Sequence, residues 1–500
     1  MAGRVKADRP PFAKVLIANR GEIAVRVIRA CRELRARAVA VYSEVDSDSP
    51  HVLLADEAVC LGPADPAESY LNVGRIVDAA RRMGAEAVHP GYGFLAENPE
   101  FAHACREAGL VFVGPPAEVI AALGDKDRAR KLAQEAGVPT VPGHPPADDE
   151  TLERAAHRLG FPVLLKAAAG GGGKGMRVVR DPQQFREALD SARREVRSSF
   201  GDDAILLEKY LERPRHVEVQ VLADTRGSAV HLGERECSVQ RRHQKVIEEC
   251  PSPAVGPDLR ARLCEAALRI ARAAGYVNAG TVEFLVDRQG RFYFLEVNTR
   301  LQVEHPVTEM VAGVDLVHAQ LRVAAGEPLP PSFAEVTLRG HAVEARVYAE
   351  DPERGFAPSP GRVLCLREPQ LPGVRVDSGI RSGQRIPVQY DPILSKVVAW
   401  APDRPTAVAR LAQALRDYVI LGPRTNLDFL LDVLEHPDFV AGELSTQFLD
   451  DHFPTWHAPQ PEEAVAAVAA ALAGRSRPRA PEAEVRVSDP WDRLGGARLP

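Results

Sequence analysis

Short apolar segments alternate with amphipathic ones at the start of the chain, and this pattern limits the possible folds more than any other feature. After the first segment, Ile23, Val27, Cys31 and Leu34 recur on one helical face. Alternating strands and helices predict a parallel sheet built from βαβ units. No Gly-x-Gly-x-x-Gly string follows the first strand, so a dinucleotide site there is unsupported. The apolar segments are Val15–Ala18, Ala38–Tyr42, Ala87–Val88 and Leu110–Val113.

Length and composition set the class of protein. The 500 residues are enough for about three domains. The net charge of −6 argues against a nucleic-acid partner. No apolar run approaches the ~18 residues of a membrane span, and no secretory signal follows the basic stretch Met1–Pro10. Seven cysteines without a Cys-x-x-Cys pair favour a reducing compartment, so we expect a cytoplasmic protein.

A glycine-rich stretch, Gly170–Gly175, joins two predicted strands. It partly matches the dinucleotide and Walker A motifs, but a strand follows it at Met176–Val179, and Gly-Lys-Ser/Thr is absent. Gly171, Gly172 and Gly173 expose main-chain N–H groups that can approach phosphate oxygens. With Lys166 before it, the stretch predicts a phosphate-binding flap; the alternative is a flexible surface hairpin.

A predicted hairpin carries two acidic residues. If Gln289-Gly290 is a two-residue loop, Glu283 lies opposite Glu296 and Leu285 lies opposite Phe294. Two facing carboxylates repel each other unless a cation or a proton lies between them. With Asn298, which points the same way, they form an oxygen site suited to Mg²⁺, with Leu285 in the wall of a nucleotide pocket. A one-residue shift in register would remove the site, and the alternative is a solvent-facing sheet.

Polar residues continue the alternation after the hairpin. Arg300, Gln302 and Glu304 would lie on the side of the metal site. Arginine binds an oxyanion with two parallel hydrogen bonds, and a glutamate can act as its general base. A second polar cluster contains Gln240, His243 and Lys245, which could reach the phosphates or form a solvated edge. The lone His216 is a weaker candidate.

The motifs together closely resemble the biotin carboxylase component of biotin-dependent carboxylases, from about Phe12 to Phe453. The matching strings are Ile17–Ala24, His89–Leu95, Gly124–Lys126, the glycine flap, Glu208–Leu211, Gln240–Lys245, Glu296–Thr308 and Glu344–Arg346.

The resemblance implies an α/β chain with the ATP-grasp fold. We expect a Rossmann-like N-terminal domain over residues 1–125 and an ATP-grasp domain with a glycine-rich lid over 126–328. A C-terminal β-rich biotin carboxylase domain over 329–455 and a tail or linker over 456–500 would follow. The implied reaction uses ATP and bicarbonate to carboxylate biotin through carboxyphosphate, as the first half-reaction of an acyl-CoA carboxylase. It requires Mg²⁺ or Mn²⁺, with two ions.

The resemblance also assigns residue roles by motif. Glu283, Glu296 and Asn298 resemble metal ligands, Glu304 the catalytic base and Arg346 the group that stabilises the biotin enolate. The bicarbonate and biotin site would contain Lys245, Arg300, Gln302, Val303, Arg346 and Tyr92. The ATP site would contain Lys126, Lys166, Gly171, Gly172, Gly173, Glu208, Lys209, Leu211, His216, Gln240, His243 and Leu285.

Two other functions remain possible at this point: another ATP-grasp ligase, such as a carbamoyl-phosphate or purine-pathway enzyme, and a non-catalytic ATP-binding subunit. The methionines are only Met1, Met83, Met176 and Met310, and none lies in a Met-Lys-Met string of the kind that accepts biotin. We therefore expect biotin on a separate carrier domain or protein. The resemblance further implies a carboxyltransferase partner and a homodimer.

Overall fold

The computed structural model describes residues 9–167, 176–200 and 203–458. The chain up to Trp456 forms one compact unit. The predicted flap glycines Gly171, Gly172 and Gly173, and most of the predicted tail, lie outside the described residues. Within the described ranges, no helix has both the length and the apolar character needed to cross a membrane.

The N-terminal region is a parallel five-stranded sheet with helices between its strands, as the alternating pattern predicted. Its strand order is β3-β2-β1-β4-β5. The edge strand β3 (Glu57–Gly62) was not among the predicted strands, although its residues 58–61 form a short apolar run. The elements are β1 (Lys14–Ile17), α1 (Gly21–Glu33), β2 (Arg37–Ser43), α2 (Pro50–Leu54), β3 (Glu57–Gly62), α3 (Val73–Arg82), β4 (Ala87–His89), α4 (Pro99–Glu107), β5 (Val111–Phe112) and α5 (Ala117–Gly124).

The middle region contains a small antiparallel sheet of order β6-β9-β7-β8, which we call the lid, and the strands that begin the largest sheet. The elements are α6 (Lys126–Glu135), β6 (Gly143–His144), α7 (Asp149–Leu159), β7 (Val163–Ala167), β8 (Arg177–Val179), α8 (Phe185–Phe200), β9 (Ile205–Lys209), β10 (Arg215–Ala223), β11 (Ala229–Arg241), β12 (Gln244–Cys250), α9 (Pro257–Ala273), β13 (Asn278–Val286), β14 (Phe292–Asn298), α10 (His305–Ala312) and α11 (Leu316–Ala324).

The C-terminal region adds strands to the same large sheet. Its elements are β15 (His341–Tyr348), β16 (Glu350–Asp351), β17 (Ala357–Pro358), β18 (Gly361–Arg362), β19 (Cys365–Arg367), β20 (Val374–Ser378), β21 (Arg385–Ile386), β22 (Ile393–Ala401), α12 (Arg404–Asp417), β23 (Val419–Leu421), α13 (Leu427–Glu435), α14 (Pro437–Ala441) and α15 (Phe448–His452). The eight-stranded antiparallel sheet has the order β14-β13-β10-β11-β12-β15-β22-β20. Because β12 pairs with β15, one sheet crosses the expected boundary at residue 328.

The two faces of strand β10 explain how the fold positions a polar site. Val217, Val219 and Val221 are fully buried in the core cluster that includes α9. The alternate residues, His216 and Glu218 among them, must point to the opposite face. That face carries the polar side chains described next.

Candidate active site

The hairpin between β13 and β14 differs from its predicted form near the turn. The Asp287 N–H group donates to the Arg291 carbonyl, and Gly290 has a φ of +71°. The loop therefore has three residues, 288–290, and the predicted two-residue Gln289-Gly290 loop is wrong. A three-residue loop with glycine in the left-handed region is a common hairpin connection, and the sequence did not distinguish it from the shorter one.

An irregularity further along the hairpin restores the predicted pairing of the two acidic residues. The register shifts between Glu283 and Phe284, so that Glu283 lies opposite Glu296. Leu285, however, pairs with Tyr293, and its predicted pairing with Phe294 is wrong. The extra residue in β14 is a β-bulge, which moves every pair beyond it by one position. Asn298 lies on the same face, where its Nδ2 donates to Glu283 Oε1 at 2.8 Å.

Lys245, on β12, lies among three buried carboxylates. Its Nζ is 2.6 Å from Glu218 Oε2 and 2.8 Å from Glu283 Oε1. It is also 2.7 Å from Glu304 Oε1. Burial would lower the pKa of Lys245, but the neighbouring negative charges raise it well above its ordinary value. The ammonium therefore stays charged and links strands β10, β12 and β13 to the start of α10.

The two facing carboxylates, Glu283 and Glu296, have different charged neighbours. Burial opposes ionisation of Glu283, but Lys245 and His216 lower its pKa well below the ordinary value. His216 Nε2 lies 2.7 Å from Glu283 Oε2. Burial and the charge of Glu283 instead raise the pKa of Glu296. A divalent cation between Glu283 and Glu296 would stabilise both charges, and with Asn298 they offer the oxygen ligands that Mg²⁺ or Mn²⁺ prefers. The residues present thus fit the metal that the resemblance implies.

Each oxygen of Glu304 contacts a different cation. Oε1 accepts from Lys245, and Oε2 lies 2.8 Å from Arg346 Nη2. Burial opposes ionisation, but Lys245 and Arg346 lower the pKa of Glu304 well below its ordinary value. Arg346 also donates from Nε to Glu248 at 2.5 Å. Burial raises the pKa of Glu248 to about 7 despite this arginine. The continuous sheet brings Arg346, on β15, to residues of the middle region.

The polar run does not continue as a strand, because β14 ends at Asn298. The side chains converge through their own hydrogen bonds instead. Arg300 donates to Asn298 Oδ1 at 3.0 Å and to Gln302 Oε1 at 2.6 Å. Gln302 Nε2 in turn donates to Glu283 Oε1 at 2.9 Å. Arg300 and Gln302 thus lie on the side of Glu283 and Asn298, as predicted, although the extended backbone assumed for this prediction is wrong.

The lid carries other predicted nucleotide residues. Glu208 on β9 lies between two cations, 3.0 Å from Lys166 Nζ and 2.9 Å from Arg130 Nη1. The Lys209 ammonium donates to the main-chain carbonyls of Gly160 and Phe161 at 2.7 and 3.2 Å. Of the predicted nucleotide residues in the lid, Lys166 and Glu208 therefore contact each other directly.

The remaining predicted residues lie at four other places. Lys126 begins α6, and its charge only partly opposes the burial and the Glu283 charge that raise the pKa of Glu296. Gln240 is buried and pairs with Lys245 across β11 and β12. His243 is exposed in the turn between these strands, where both Arg242 and His243 have positive φ values of +48° and +66°. Side chains other than glycine or asparagine are uncommon in that conformation. Leu211, between β9 and β10, is partly buried.

Tyr92 and Val303 are fixed by residues from distant parts of the chain. The main-chain carbonyl of Tyr92 accepts from Asn19 Nδ2 at 2.7 Å. Its ring lies 5.7 Å from Nζ of Lys396. The same Lys396 Nζ donates to the Val303 carbonyl at 2.9 Å. Lys396 therefore joins two of the predicted bicarbonate and biotin residues.

Four residues of the site were missed by reasoning from sequence: Glu218, Arg235, Glu97 and Lys396. Glu218 lies directly opposite Glu283 and is shared between Lys245 and the fully buried Arg235, whose Nε is 2.5 Å away. The alternation His216-Val217-Glu218-Val219 carried the signal, since it places Glu218 on the face of His216. Glu97 accepts from Arg300 Nε at 2.8 Å, and neither it nor Lys396 has a local pattern that would identify it.

Family models match the chain in three consecutive segments. The biotin carboxylase N-terminal domain matches residues 11–120. The ATP-binding domain of the carbamoyl-phosphate synthase L chain matches residues 125–332. The biotin carboxylase C-terminal domain matches residues 344–451.

Curated relatives include biotin carboxylase from Nostoc sp., which is 50% identical over 443 residues, 88% of this chain and 99% of the relative. The methylcrotonoyl-CoA carboxylase alpha subunit of Rattus norvegicus, a mitochondrial protein, is 52% identical over 88% of this chain. The match covers 62% of that relative, so the chain spans about three fifths of its length.

Solved structures give the same result. A biotin carboxylase from Campylobacter jejuni has a TM-score of 0.85 and 44% identity, and the match covers 88% of this chain and 99% of the other. The biotin carboxylase domain dimer of Hydrogenobacter thermophilus 2-oxoglutarate carboxylase, solved with MgADP, ADP and bicarbonate, has a TM-score of 0.83 and 46% identity, covering 88% and 98%. The fold and the carboxylate site define an ATP-grasp protein. The chain belongs to the biotin carboxylase family, whose members are ATP-dependent ligases.

Proposed function

We propose that this chain is a biotin carboxylase that uses ATP and bicarbonate to carboxylate biotin through carboxyphosphate. The observation that carries the proposal is the position of Glu304, whose two oxygens contact Lys245 and Arg346 separately. A carboxylate kept ionised between two cations is available to accept a proton at neutral pH. The same cations are placed to bind an anionic substrate beside it.

The metal and nucleotide roles follow the motif assignments. Glu283, Glu296 and Asn298 hold Mg²⁺ or Mn²⁺, with two ions, which neutralise the nucleotide phosphates. The flap glycines Gly171, Gly172 and Gly173 bind the phosphates, and Leu285 lies in the pocket wall. The other nucleotide contacts are Lys126, Lys166, His216, Gln240 and His243. Glu208, Lys209 and Leu211 bind the adenine edge. Because its ammonium is engaged with two carbonyls, Lys209 contributes its main chain.

The bicarbonate site consists of Arg300, Gln302, Val303 and Lys245. Arg300 donates to Gln302, and the anion would share the donors of both side chains. Glu304 removes the bicarbonate proton as a bicarbonate oxygen attacks the γ-phosphate and ADP leaves, which forms carboxyphosphate. The lid excludes water from the labile mixed anhydride.

Biotin binds beside Arg346 and Tyr92. Carboxyphosphate breaks down to CO₂ and phosphate, the phosphate takes the proton of the ureido nitrogen, and that nitrogen attacks CO₂. Negative charge develops on the ureido oxygen as the proton leaves, and the Arg346 guanidinium stabilises it. The biotin comes from a separate carrier domain or protein, and a carboxyltransferase uses the product. Relatives named as methylcrotonoyl-CoA and propionyl-CoA carboxylase alpha subunits support the first half-reaction of an acyl-CoA carboxylase.

Domain limits near residues 125, 328 and 455 are supported by the spans of the three family models. A homodimer is supported by the related domain dimer. Seven free thiols support a reducing compartment, and we place the chain in the cytoplasm. Several relatives are named as mitochondrial, so fractionation of the source cells is the direct test.

The decisive experiment measures ADP release by the purified chain with MgATP, bicarbonate and free biotin. We expect ADP release to need bicarbonate and to rise with biotin, and Glu304→Gln to lower the rate by more than about a hundredfold. Ammonium replaces biotin in a parallel reaction, because one matching family model is named for carbamoyl-phosphate synthase. Stimulation by ammonium and not by biotin would contradict the proposal, and no ADP release at all would indicate a non-catalytic subunit.

A further inference from the structure

Two histidines and an aspartate cluster in the C-terminal region and share no residue with the candidate active site. His436 precedes α14, Asp438 is its second residue, and His452 ends α15. One possible ligand atom from each side chain lies within 4.8 Å of the other two. His452 Nε2 and Asp438 Oδ2 are 3.1 Å apart.

Aromatic packing holds the two imidazole rings together. Their centroids are 4.2 Å apart. The Phe448 ring lies 5.5 Å from His436 and 4.8 Å from His452, and the Phe453 ring lies 5.7 Å from His436. Rings packed in this way have already lost most of their rotamer freedom on folding. The cost of ordering them around an ion is therefore small.

One hydrogen bond competes with a metal ion at this cluster. His436 Nδ1 accepts from the Asp438 N–H group at 3.2 Å. Ligation through either ring nitrogen removes this bond, because a metal-bound neutral imidazole leaves Nδ1 either occupied or protonated. This bond caps the N-terminus of α14, so a metal–nitrogen bond to the ring must offset its loss.

The cluster is open to solvent on one side. The side chains of Asp438 and His452 are 48% and 28% exposed. Both line a cavity of about 610 Å³, together with Arg213 and Ser445. An ion can therefore enter from solvent and keep water in its remaining coordination positions.

We propose that His436, Asp438 and His452 form a site for a divalent transition-metal ion of the Zn²⁺ class. Imidazole nitrogens suit Zn²⁺, Ni²⁺ and Cu²⁺, whereas Mg²⁺ prefers oxygen ligands only. Two imidazoles and one carboxylate, with water in the open position, are a usual Zn²⁺ ligand set. This ion is chemically distinct from the Mg²⁺ or Mn²⁺ of the nucleotide site.

The site lies between α14 and α15, and residues just before α15 contact the segment that joins the lid to the large sheet. Gln447, just before α15, accepts from the Arg213 N–H group at 3.1 Å. Thr446 N donates to the Pro214 carbonyl at 2.9 Å. Residues 213 and 214 connect β9 of the lid to β10. An ion that ties α14 to α15 therefore stabilises the helices against which this connection packs.

Zn²⁺ titration of the chelator-treated full chain, by calorimetry in excess Mg²⁺, tests the proposal. We expect one Zn²⁺ per chain, a higher midpoint of thermal unfolding, and at least about tenfold weaker binding for His452→Gln. His103→Gln is the matched control, since His103 is exposed on α4 beside one carboxylate, Glu107, at 3.5 Å. His318→Gln tests a second histidine–carboxylate group with Glu33 and Asp315.

Absence of saturable Zn²⁺ binding by the wild-type chain would overturn the proposal. Equal binding by His452→Gln and wild type would also overturn it, as would loss of binding in His318→Gln alone. Asp438→Asn provides a second variant at the most exposed ligand in case His452→Gln does not fold. Thermal unfolding of each metal-free variant verifies that it is folded before titration.

Discussion

Lys245 and Lys396 contact two consecutive residues, Glu304 and Val303, in different ways. Lys245 contacts three carboxylates within 2.8 Å and remains 12% exposed. Lys396 is fully buried, donates to the Val303 carbonyl, and lies 3.3 Å from Glu22 and 3.9 Å from Asp377. One lysine thus binds the side chain of Glu304, and the other binds the main chain of the preceding residue.

The difference indicates that Lys245 controls the charge of Glu304, whereas Lys396 fixes the position of the Val303 main chain. Lys245 faces the site, so oxygens of an anionic substrate can take the place of its carboxylate partners. Lys396 is enclosed by α1, β20 and β22, where no solvent can replace a lost partner. Loss of the first should mainly affect the reaction, and loss of the second should mainly affect stability. Four predictions test this division.

The largest effect is expected for Lys396→Met. The substitution removes the cation beside the buried Glu22 carboxylate and one of the two cations beside Asp377, which keeps Arg375 at 2.8 Å. We expect the free energy of unfolding to fall by about 3–5 kcal/mol. Chemical denaturation of the wild type and the variant measures it. Lys131 is exposed on α6, and Lys131→Met is the control. It should change the free energy of unfolding by less than about 0.5 kcal/mol. An unchanged unfolding midpoint for Lys396→Met would contradict the positioning role.

Lys245→Met should instead reduce catalysis, by about 10²–10³-fold in biotin-dependent ADP release. Lys245 and Arg346 lower the pKa of Glu304 against the effect of burial, so loss of Lys245 raises that pKa. The base then stays protonated to a higher pH, and the acid limb of the pH–rate profile moves upwards. A lower rate with an unshifted acid limb would mean that Lys245 does not control the ionisation of Glu304.

The pairing of Glu283 with Glu296 was predicted correctly from an incorrect loop length. A two-residue loop was assumed, and the real loop is one residue longer, but the bulge in β14 compensates and returns Glu283 to Glu296. Hairpin register is set by loop length and bulges together, and neither can be determined from alternation alone. Leu285, on the turn side of the bulge, was therefore paired wrongly.

Partners that are distant in sequence could not be predicted at all. Lys396 and Val303 are 93 residues apart and meet only because β15 joins the central strands to β22. Arg346 was placed in the site only by resemblance, since no local pattern connects it to Glu304. By contrast, four of the five strands of the N-terminal sheet were predicted, because each of the four contains a short apolar run close to turn residues, whereas the edge strand β3 was missed.

Glu22→Gln should change how stability depends on pH. Burial raises the pKa of Glu22 to about 7, although Lys396 opposes the shift. Because the folded state holds this proton more tightly, wild-type stability falls as pH rises from about 4.5 to 7. Gln carries no such proton, so relative to wild type the variant gains on the order of 2–3 kcal/mol between pH 5 and pH 8. Denaturation curves at both pH values measure this gain, and parallel changes in the two proteins would refute it.

The smallest effect is expected for Glu97→Gln, which acts on the site from its exposed side. Glu97 accepts from Arg300 Nε at 2.8 Å and from the Thr299 N–H group at 2.9 Å, and its side chain is 40% exposed. An ion pair this accessible contributes less than about 1 kcal/mol. Gln can keep the Thr299 bond, so the arginine remains near its place with one acceptor weakened. We expect the KM for bicarbonate to rise by about two- to fivefold while kcat stays unchanged. A fall in kcat comparable to that of Lys245→Met would contradict this prediction. It would mean that Glu97, like Lys245, controls the charge of the site.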